Sequence, residues 1–308
     1  MIEKSIIDIE EIKKSKTTEE LIEFGILNMD KPSGPTSFGV DDYLKKTIGL
    51  RKASHFGTLD PKVTGVLPIA LNRACKLTGF FLSHDKTYVG VMEVHKKVKR
   101  EDVEKIIEEK FTGKITQLPP VKSRVKRQER EREIHLFEII EESEKENERG
   151  KIFLFRTKCE GGTYVRKLIH DLGLALNTGA HMLELRRTHA GIFSETDKEY
   201  PIVNLYDFEK AFNNYKKGND GELRAMLIPG EIVANIFPIV LVKNELIEKF
   251  YTGKPIYEND VKSDLKQMTH EGKYCVFSED KKSFVGIYKR VYEDDIVLRA
   301  DFVMAPIK

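Results

Sequence analysis

His55-Phe-Gly-Thr-Leu-Asp-Pro-Lys-Val-Thr-Gly-Val-Leu-Pro-Ile-Ala-Leu71 holds a single carboxylate, Asp60, in a loop whose shape its neighbours restrict. Gly57 permits backbone angles and close approaches that a Cβ would forbid. Pro61 fixes its own φ and turns Asp60 away from helical geometry. Gly65 supplies a second point of close approach, and the apolar run Val66 to Leu71 reads as a buried strand or helix start that anchors the loop. A carboxylate held in this way is either a reactive group or a turn former, and Asp before Pro is ordinary turn chemistry.

Four further blocks bear on that choice: Asn28-Met-Asp-Lys-Pro-Ser-Gly-Pro-Thr-Ser37, Lys86-Thr-Tyr-Val-Gly90, Gly162-Thr-Tyr-Val-Arg166 and Ala180-His-Met-Leu-Glu-Leu-Arg-Arg187. With the Asp60 loop they stand in the order of the motifs of the TruB/dyskerin family of pseudouridine synthases, which the chain resembles over roughly residues 24 to 305. The resemblance implies an α+β pseudouridine synthase fold, with a mixed, largely antiparallel central sheet and flanking helices. It also implies an isomerase that needs no metal or redox cofactor.

Composition sets wide bounds. A chain of 308 residues is long for one core, so two domains are expected. The net charge is only +2, so any affinity for nucleic acid must come from how the charges are distributed. Cys75, Cys159 and Cys275 lie far apart without a C-x-x-C pair, which argues against a disulfide framework or zinc site and fits a reducing compartment. No stretch approaches the roughly 18 apolar residues of a membrane span, and the N-terminus mixes Lys with Glu. The expectation is a soluble, cytoplasmic protein with no membrane partner.

Along the chain, residues 1–23 read as a charged N-terminal extension. Strands are expected at Gly25 to Met29, Thr87 to His95 and Ile152 to Cys159; the last alternates, with Phe153, Phe155, Thr157 and Cys159 on one face. Val40, Tyr43, Leu44 and Ile48 recur at helical spacing behind Thr36 and Ser37 as N-caps, and Val103, Ile106, Ile107 and Phe111 mark a second helix. A third carries Val165, Leu168, Ile169 and Leu172 inward and stops near Asn177-Thr178-Gly179. The acidic stretch Glu141 to Gly150 reads as a loop between strands. Asn213 to Gly221 is turn-rich, and from about Phe237 short strands and turns take over. Residues 24–236 are therefore read as the catalytic domain. Residues 237–308 are read as a small β-barrel-like unit that, given the family, resembles an RNA-binding PUA domain.

The resemblance assigns roles residue by residue. Asp60 matches the catalytic carboxylate, and Arg166 matches the Arg that pairs with it, where a guanidinium aims the carboxylate and offsets its charge. Tyr88 matches an active-site Tyr whose ring can stack on uracil, and Leu185 a pocket-wall residue. Lys31 and Pro32 belong to a block that buttresses the loop, as do His55 and Gly57; Phe56 departs from the small residue usual before that Gly. Read without the family, Arg166 is a helix-surface Arg and Tyr88 and Leu185 are core.

Lys122-Ser-Arg-Val-Lys-Arg-Gln-Glu-Arg-Glu-Arg132 carries basic residues ahead of its acids. Lys122, Arg124, Lys126 and Arg127 are read as an RNA-phosphate track, with Arg186 and Arg187 extending it and Lys243 and Lys254 contributing from the C-terminal unit. Tyr88 to His95 runs almost directly into the helix at Glu101, so the long RNA-gripping insertion of standalone transfer-RNA enzymes is missing. The resemblance is thus to the dyskerin branch, in an archaeal version without Lys-rich tails. It implies a catalytic subunit of an H/ACA ribonucleoprotein, partnered by guide RNA, target ribosomal or transfer RNA, and small subunits including a kink-turn-binding protein. Standalone modification of transfer RNA at uridine-55 is the alternative, and a non-catalytic RNA-binding scaffold ranks below it.

Overall fold

The computed structural model describes residues 6–119, 126–143, 150–263, 268 and 271–306. Lys122 and Arg124 of the basic stretch, and 144–149 of the acidic one, lie outside the described residues. The chain divides into two compact units, Ile26–Leu227 and the pair of segments Met1–Gly25 with Ile228–Lys308.

The N-terminal segment starts with Asp8, whose carboxylate accepts from the Glu11 N–H at 2.9 Å and caps α1 (Ile9–Ser15). Thr17 and Glu20 then close a reciprocal capping box on α2 (Thr18–Glu23), satisfying amides that a helix start leaves bare. Phe24 follows and stacks on Phe284 and Phe302. The stretch expected as a charged extension thus groups with the C-terminal segment through buried aromatic surface.

The larger unit is built on β1 (Gly25–Lys31), α3 (Ser37–Ile48), β2 (Ala53–His55), β3 (Thr64–Leu71), α4 (Thr78–Phe81) and β4 (Lys86–Val94). It continues through α5 (Arg100–Lys110), β5 (Gly113–Gln117), β6 (Arg130–Glu142), β7 (Lys151–Cys159), α6 (Val165–Ala175), β8 (Ala180–Ala190) and β9 (Phe193–Ser194). The sheet runs β1-β3-β8-β4-β7-β6-β5, with β2 on β3 and β9 on β8. Only the β3–β8 pairing among these is parallel, so the sheet is mixed and largely antiparallel, as expected.

The strongest sequence patterns map onto this sheet directly. In β7, Phe153, Phe155, Thr157 and Cys159 are all buried. In α6, Val165, Leu168, Ile169 and Leu172 face inward, and that helix packs on β8. Thr36 caps α3, its hydroxyl accepting from the Gly39 N–H, and Gly49 ends the helix in the left-handed region at φ 77°. The turn-rich Asn213 to Gly221 joins α7 (Leu205–Tyr215) to α8 (Gly221–Met226), and the division between units falls after α8, within β10 (Leu227–Pro229).

In the other unit, β11 (Ile239–Val242), α9 (Ile247–Phe250), β12 (Ile256–Tyr257), β13 (Lys273–Ser278), β14 (Phe284–Glu293) and β15 (Ile296–Val303) form a sheet in the order β11-β13-β14-β15-β12. Its core gathers Val240, Phe250, Val276, Val285, Tyr288 and Leu298. The buried Tyr288 hydroxyl is satisfied by the Phe250 carbonyl at 3.1 Å. Among the described residues, no helix is long and apolar enough to cross a membrane.

Candidate active site

The Asp60 loop is clamped from beneath and from the side. Lys31, at the end of β1, is fully buried and donates all three ammonium protons: to the Pro32, Pro61 and Val63 carbonyls, at 2.8, 2.9 and 2.8 Å. Burial pushes its pKa down and the Asp60 charge works the other way. Ser37 and Asp41 sit one helical turn apart on α3, on the face that meets the loop. The Ser37 hydroxyl accepts from the Leu59 N–H and donates to the Leu59 carbonyl. Asp41 accepts from His55 Nδ1 at 2.6 Å, and His55 Nε2 meets the Thr58 hydroxyl at 3.0 Å. His55 is therefore a brace between α3 and the loop. Phe56, the departure from pattern, is buried and lies flat on Phe81 with ring centroids 4.4 Å apart, with Phe193 beside it.

The pocket wall follows from strand periodicity. Alternate residues of β4 are buried, so Lys86, Tyr88 and Gly90 share one face. On β8, Leu185 pairs with Gly90 and Arg187 pairs with Tyr88. A Cβ on Gly90 would lie 2.7 Å from Phe155 Cζ and 2.8 Å from both the Glu184 carbonyl oxygen and Leu185 Cδ1. Gly90→Ala should therefore destabilise the protein by about 1–3 kcal/mol and displace Leu185, read as a lower urea midpoint at unchanged slope.

Asp60 and Arg166 meet at the open side of this wall. Arg166 Nη2 lies 2.7 Å from Asp60 Oδ2, and both side chains are about half exposed. Arg166 stands in the first turn of α6, whose start is held by Gln117 at the end of β5. The buried Gln117 amide accepts from the Tyr164 N–H and donates to the Tyr164 carbonyl, at 3.0 and 3.3 Å. Asp60, Tyr88, Arg166 and Leu185 all line one cleft of about 620 Å³, with Tyr164, Met182 and the Gly161-Gly162 turn on its other sides. That volume suits a small planar ligand with part of its backbone.

Two lining residues were not read this way from sequence. Arg187 is 1% exposed; its Nε donates to the Val66 carbonyl at 2.7 Å and Nη2 to the Gly57 carbonyl at 3.0 Å. It lies inside the pocket floor, so an RNA-phosphate role does not fit it. A signal was available: side chains alternate along a strand, so a residue two places from pocket-wall Leu185 faces the same way. Leu185 and Arg187 are both buried, with Arg186 less so. Lys86 is 4% exposed and donates to the Phe81, Leu82 and His84 carbonyls. Burial, with the Arg187 charge beside it, brings Lys86 from the ordinary 10.5 down to about 8. Between those pH values the unfolded chain keeps this proton and the folded one has lost it, so stability from this group rises with pH. Lys86→Met should remove that rise, read as urea midpoints of both proteins across the window.

Comparison with known proteins places this geometry. The family model for TruB family pseudouridylate synthase, N-terminal domain, matches residues 45–165, and that for the tRNA pseudouridylate synthase B C-terminal domain matches 166–234. The chain belongs to the TruB family of pseudouridine synthases. It is therefore an RNA isomerase of the TruB kind. A probable tRNA pseudouridine synthase B of Methanocaldococcus jannaschii is 40% identical over 92% of this chain and 81% of its own length. One from Methanosarcina barkeri is 37% identical over 93% of this chain. Among solved structures, a chain of a Cbf5–Nop10–Gar1 complex superposes with a TM-score of 0.82 at 33% identity, covering 96% of this chain and 89% of that one. A chain of an H/ACA ribonucleoprotein bound to a substrate RNA containing 2′-deoxyuridine gives 0.81 at 30% identity, covering 99% and 94%.

In this TruB-family enzyme the remaining RNA-binding candidates are spread out. Lys126 and Arg127 are exposed ahead of β6, as is Lys254; Lys243 is half-buried. Arg186 is held by Asp30 through two hydrogen bonds, at 2.9 and 3.1 Å, and by Glu195 at 2.7 Å. Its charge is thus committed to a network joining β8, β1 and the turn after β9.

Proposed function

We propose that this TruB-family pseudouridine synthase isomerises uridine in ribosomal RNA as the catalytic subunit of a guide-RNA-directed H/ACA ribonucleoprotein, with Asp60 as its reacting carboxylate. The observation that supports Asp60 most is its position. It is the one carboxylate among the described residues lining the cleft, clamped at its backbone yet open at its side chain and paired with Arg166. The guide-directed reading rests on the near full-length likeness to chains from the Cbf5–Nop10–Gar1 complex and the RNA-bound H/ACA particle.

The chemistry follows from this geometry. A stacked uridine cannot turn, so the base is extruded into the cleft. Asp60 reacts with the sugar or base, or takes a sugar proton, and the C1′–N1 bond breaks with its electron pair going to the base. The freed uracil rotates against Tyr88 and Leu185. Carbon 5 bonds to C1′ and the C5 proton leaves as N1 gains one, while Asp60 is released from its adduct as carboxylate or returns the sugar proton. Arg166 aims the carboxylate, and the Tyr88 hydroxyl, in the same cleft, is the group assigned to relay the C5 proton.

Residues 24–236 serve as the catalytic domain and 237–308 as a PUA domain that holds the guide, through Lys243 and Lys254, with α1 and α2 of residues 1–23 grouped with the C-terminal segment. Lys122, Arg124, Lys126 and Arg127 are assigned as a track for RNA phosphates, read from the basic run of the sequence. The small subunits seen with the neighbours, and a kink-turn-binding protein, complete the particle in the cytoplasm. Removing the Lys126 and Arg127 charges should weaken RNA binding and reduce the slope of log affinity against log salt by roughly one to two. An unchanged affinity and slope at several salt concentrations would remove the track from this reading.

A second reading is supported by the names of the curated relatives, which are probable tRNA pseudouridine synthases. Guide-independent action on transfer RNA is compatible with the same pocket. Pseudouridine mapping on ribosomal and transfer RNA, with protein alone and then with guide and partners, separates the two. Guide-selected product on ribosomal RNA supports the first reading; product on transfer RNA alone, indifferent to guide, replaces it with the second.

A further inference from the structure

Four charged side chains line the cleft among the described residues: Asp60, Lys86, Arg166 and Arg187. Asp60 and Arg166 offset each other at the mouth. Lys86 and Arg187 remain, and they are the buried ones, at 4% and 1% exposure. No ion pair joins either of them to a carboxylate among the described residues; Lys86 donates to backbone carbonyls, and Arg187 to backbone carbonyls and the Tyr88 hydroxyl. The carboxylate next in sequence, Asp85, pairs with His135 and Lys158. The two cations sit together under the loop: a Cβ on Gly57 would lie 3.5 Å from Arg187 Nη1 and 3.6 Å from Lys86 Cε.

Two buried like charges without a counter-ion cost stability that neutral residues of similar shape would not. Such local conflicts belong at functional sites. Uridine is neutral on entering the cleft, so it gains little from this field. The charge appears when the C1′–N1 bond breaks and its electron pair moves onto the base, spreading over N1, O2 and O4. We propose that Lys86 and Arg187 form a cationic floor that stabilises the uracil anion released in mid-reaction.

The floor acts by its field, as a pre-set complement to charge that exists only after bond breaking. Every proton of the Lys86 ammonium is already donated to a carbonyl, so it contributes charge and no new hydrogen bond. Arg187 also lies against the Tyr88 hydroxyl. Burial pushes that hydroxyl's pKa up, and the charge and hydrogen bonding of the guanidinium oppose the rise. The inference rests on the pseudouridine synthase reaction with Asp60 as its carboxylate.

The test compares uridine with 5-fluorouridine at the target position of one substrate RNA, at mildly acid pH where neither base ionises. Fluorine makes the base a better leaving group, so it depends less on the floor. Lys86→Met should slow glycosidic bond breaking with uridine on the order of 10- to 100-fold. The slowing with 5-fluorouridine should be several-fold smaller, RNA affinity should be unchanged, and Lys86→Arg should restore most of the rate. If Lys86→Met fails to fold, Leu82 serves instead: it lines the same cleft and is 44% exposed. Leu82→Glu should then slow uridine more than Leu82→Gln does, with the difference shrinking for 5-fluorouridine. Equal penalties on both bases would overturn the proposal while leaving the reaction assignment intact. Absence of product from the wild-type protein, by contrast, would strike the reaction assignment itself.

Discussion

Asp60→Ala should lose pseudouridine formation by between about 10⁴- and 10⁶-fold, the scale seen when an enzyme's reacting group has no substitute. No other carboxylate among the described residues lines the cleft, so nothing nearby takes over. The fold should survive. The Asp60 and Arg166 side chains are 50% and 60% exposed, so their pairing is screened by solvent and removing it costs at most about 1 kcal/mol. The loop is held by contacts that do not use the Asp60 carboxylate: the Lys31 ammonium, the Ser37 hydroxyl and the His55 brace. RNA binding and melting temperature should match the wild-type protein. Retained activity would remove Asp60 from the chemistry, and a collapsed fold would make its role structural.

The largest stability effect is expected at Lys31. Lys31→Met keeps the length and apolar stem and removes the donors to three carbonyls, those of Pro61 and Val63 just after Asp60 and that of Pro32. Each buried acceptor left without a partner costs about 1–3 kcal/mol. Part of this is returned because the buried ammonium, whose pKa burial has already lowered, no longer has to be desolvated. A net loss of about 2–4 kcal/mol follows, read from urea unfolding. Activity should fall further than stability alone explains, because the freed Pro61 and Val63 carbonyls let the loop shift and a displaced reacting group is costly. A variant as stable and active as the wild type would show that the loop holds its shape without this clamp.

Most of the site was legible as sequence because it consists of short blocks with a fixed internal geometry. Strand β4 alternates over its whole length, so Tyr88 was bound to share a face with Lys86 and Gly90. Helix α6 has a clean apolar stripe, which put Arg166 off the buried face and within reach of Asp60. The errors arose where the answer depends on which strand lies beside which. Arg187 reads as half of a basic pair until β8 is known to run between β3 and β4, which encloses one Arg and leaves its neighbour to Asp30 and Glu195. Gln117 gives no local signal, because its function is to hold the backbone of Tyr164, 47 residues away. Helices α1 and α2 were read as an extension because their partners, through Phe24, are Phe284 and Phe302 at the far end of the chain. Phe56 looked like a departure in the motif, and its partner Phe81 lies 25 positions on, in a helix too short to declare itself.

Conversion to pseudouridine must release the hydrogen on carbon 5 of the modified uridine, whereas hydrolysis or mere binding releases none. Tritium placed at carbon 5 of the target uridine therefore reports the isomerisation itself. The expected result is one equivalent of tritium released to water by the wild-type protein with guide RNA and partners, and none by Asp60→Ala bound to the same RNA. Release by the Asp60 variant at the wild-type rate, or none from the wild-type protein on any guide-paired or transfer RNA, would contradict the assignment of this pocket as a uridine-isomerising site.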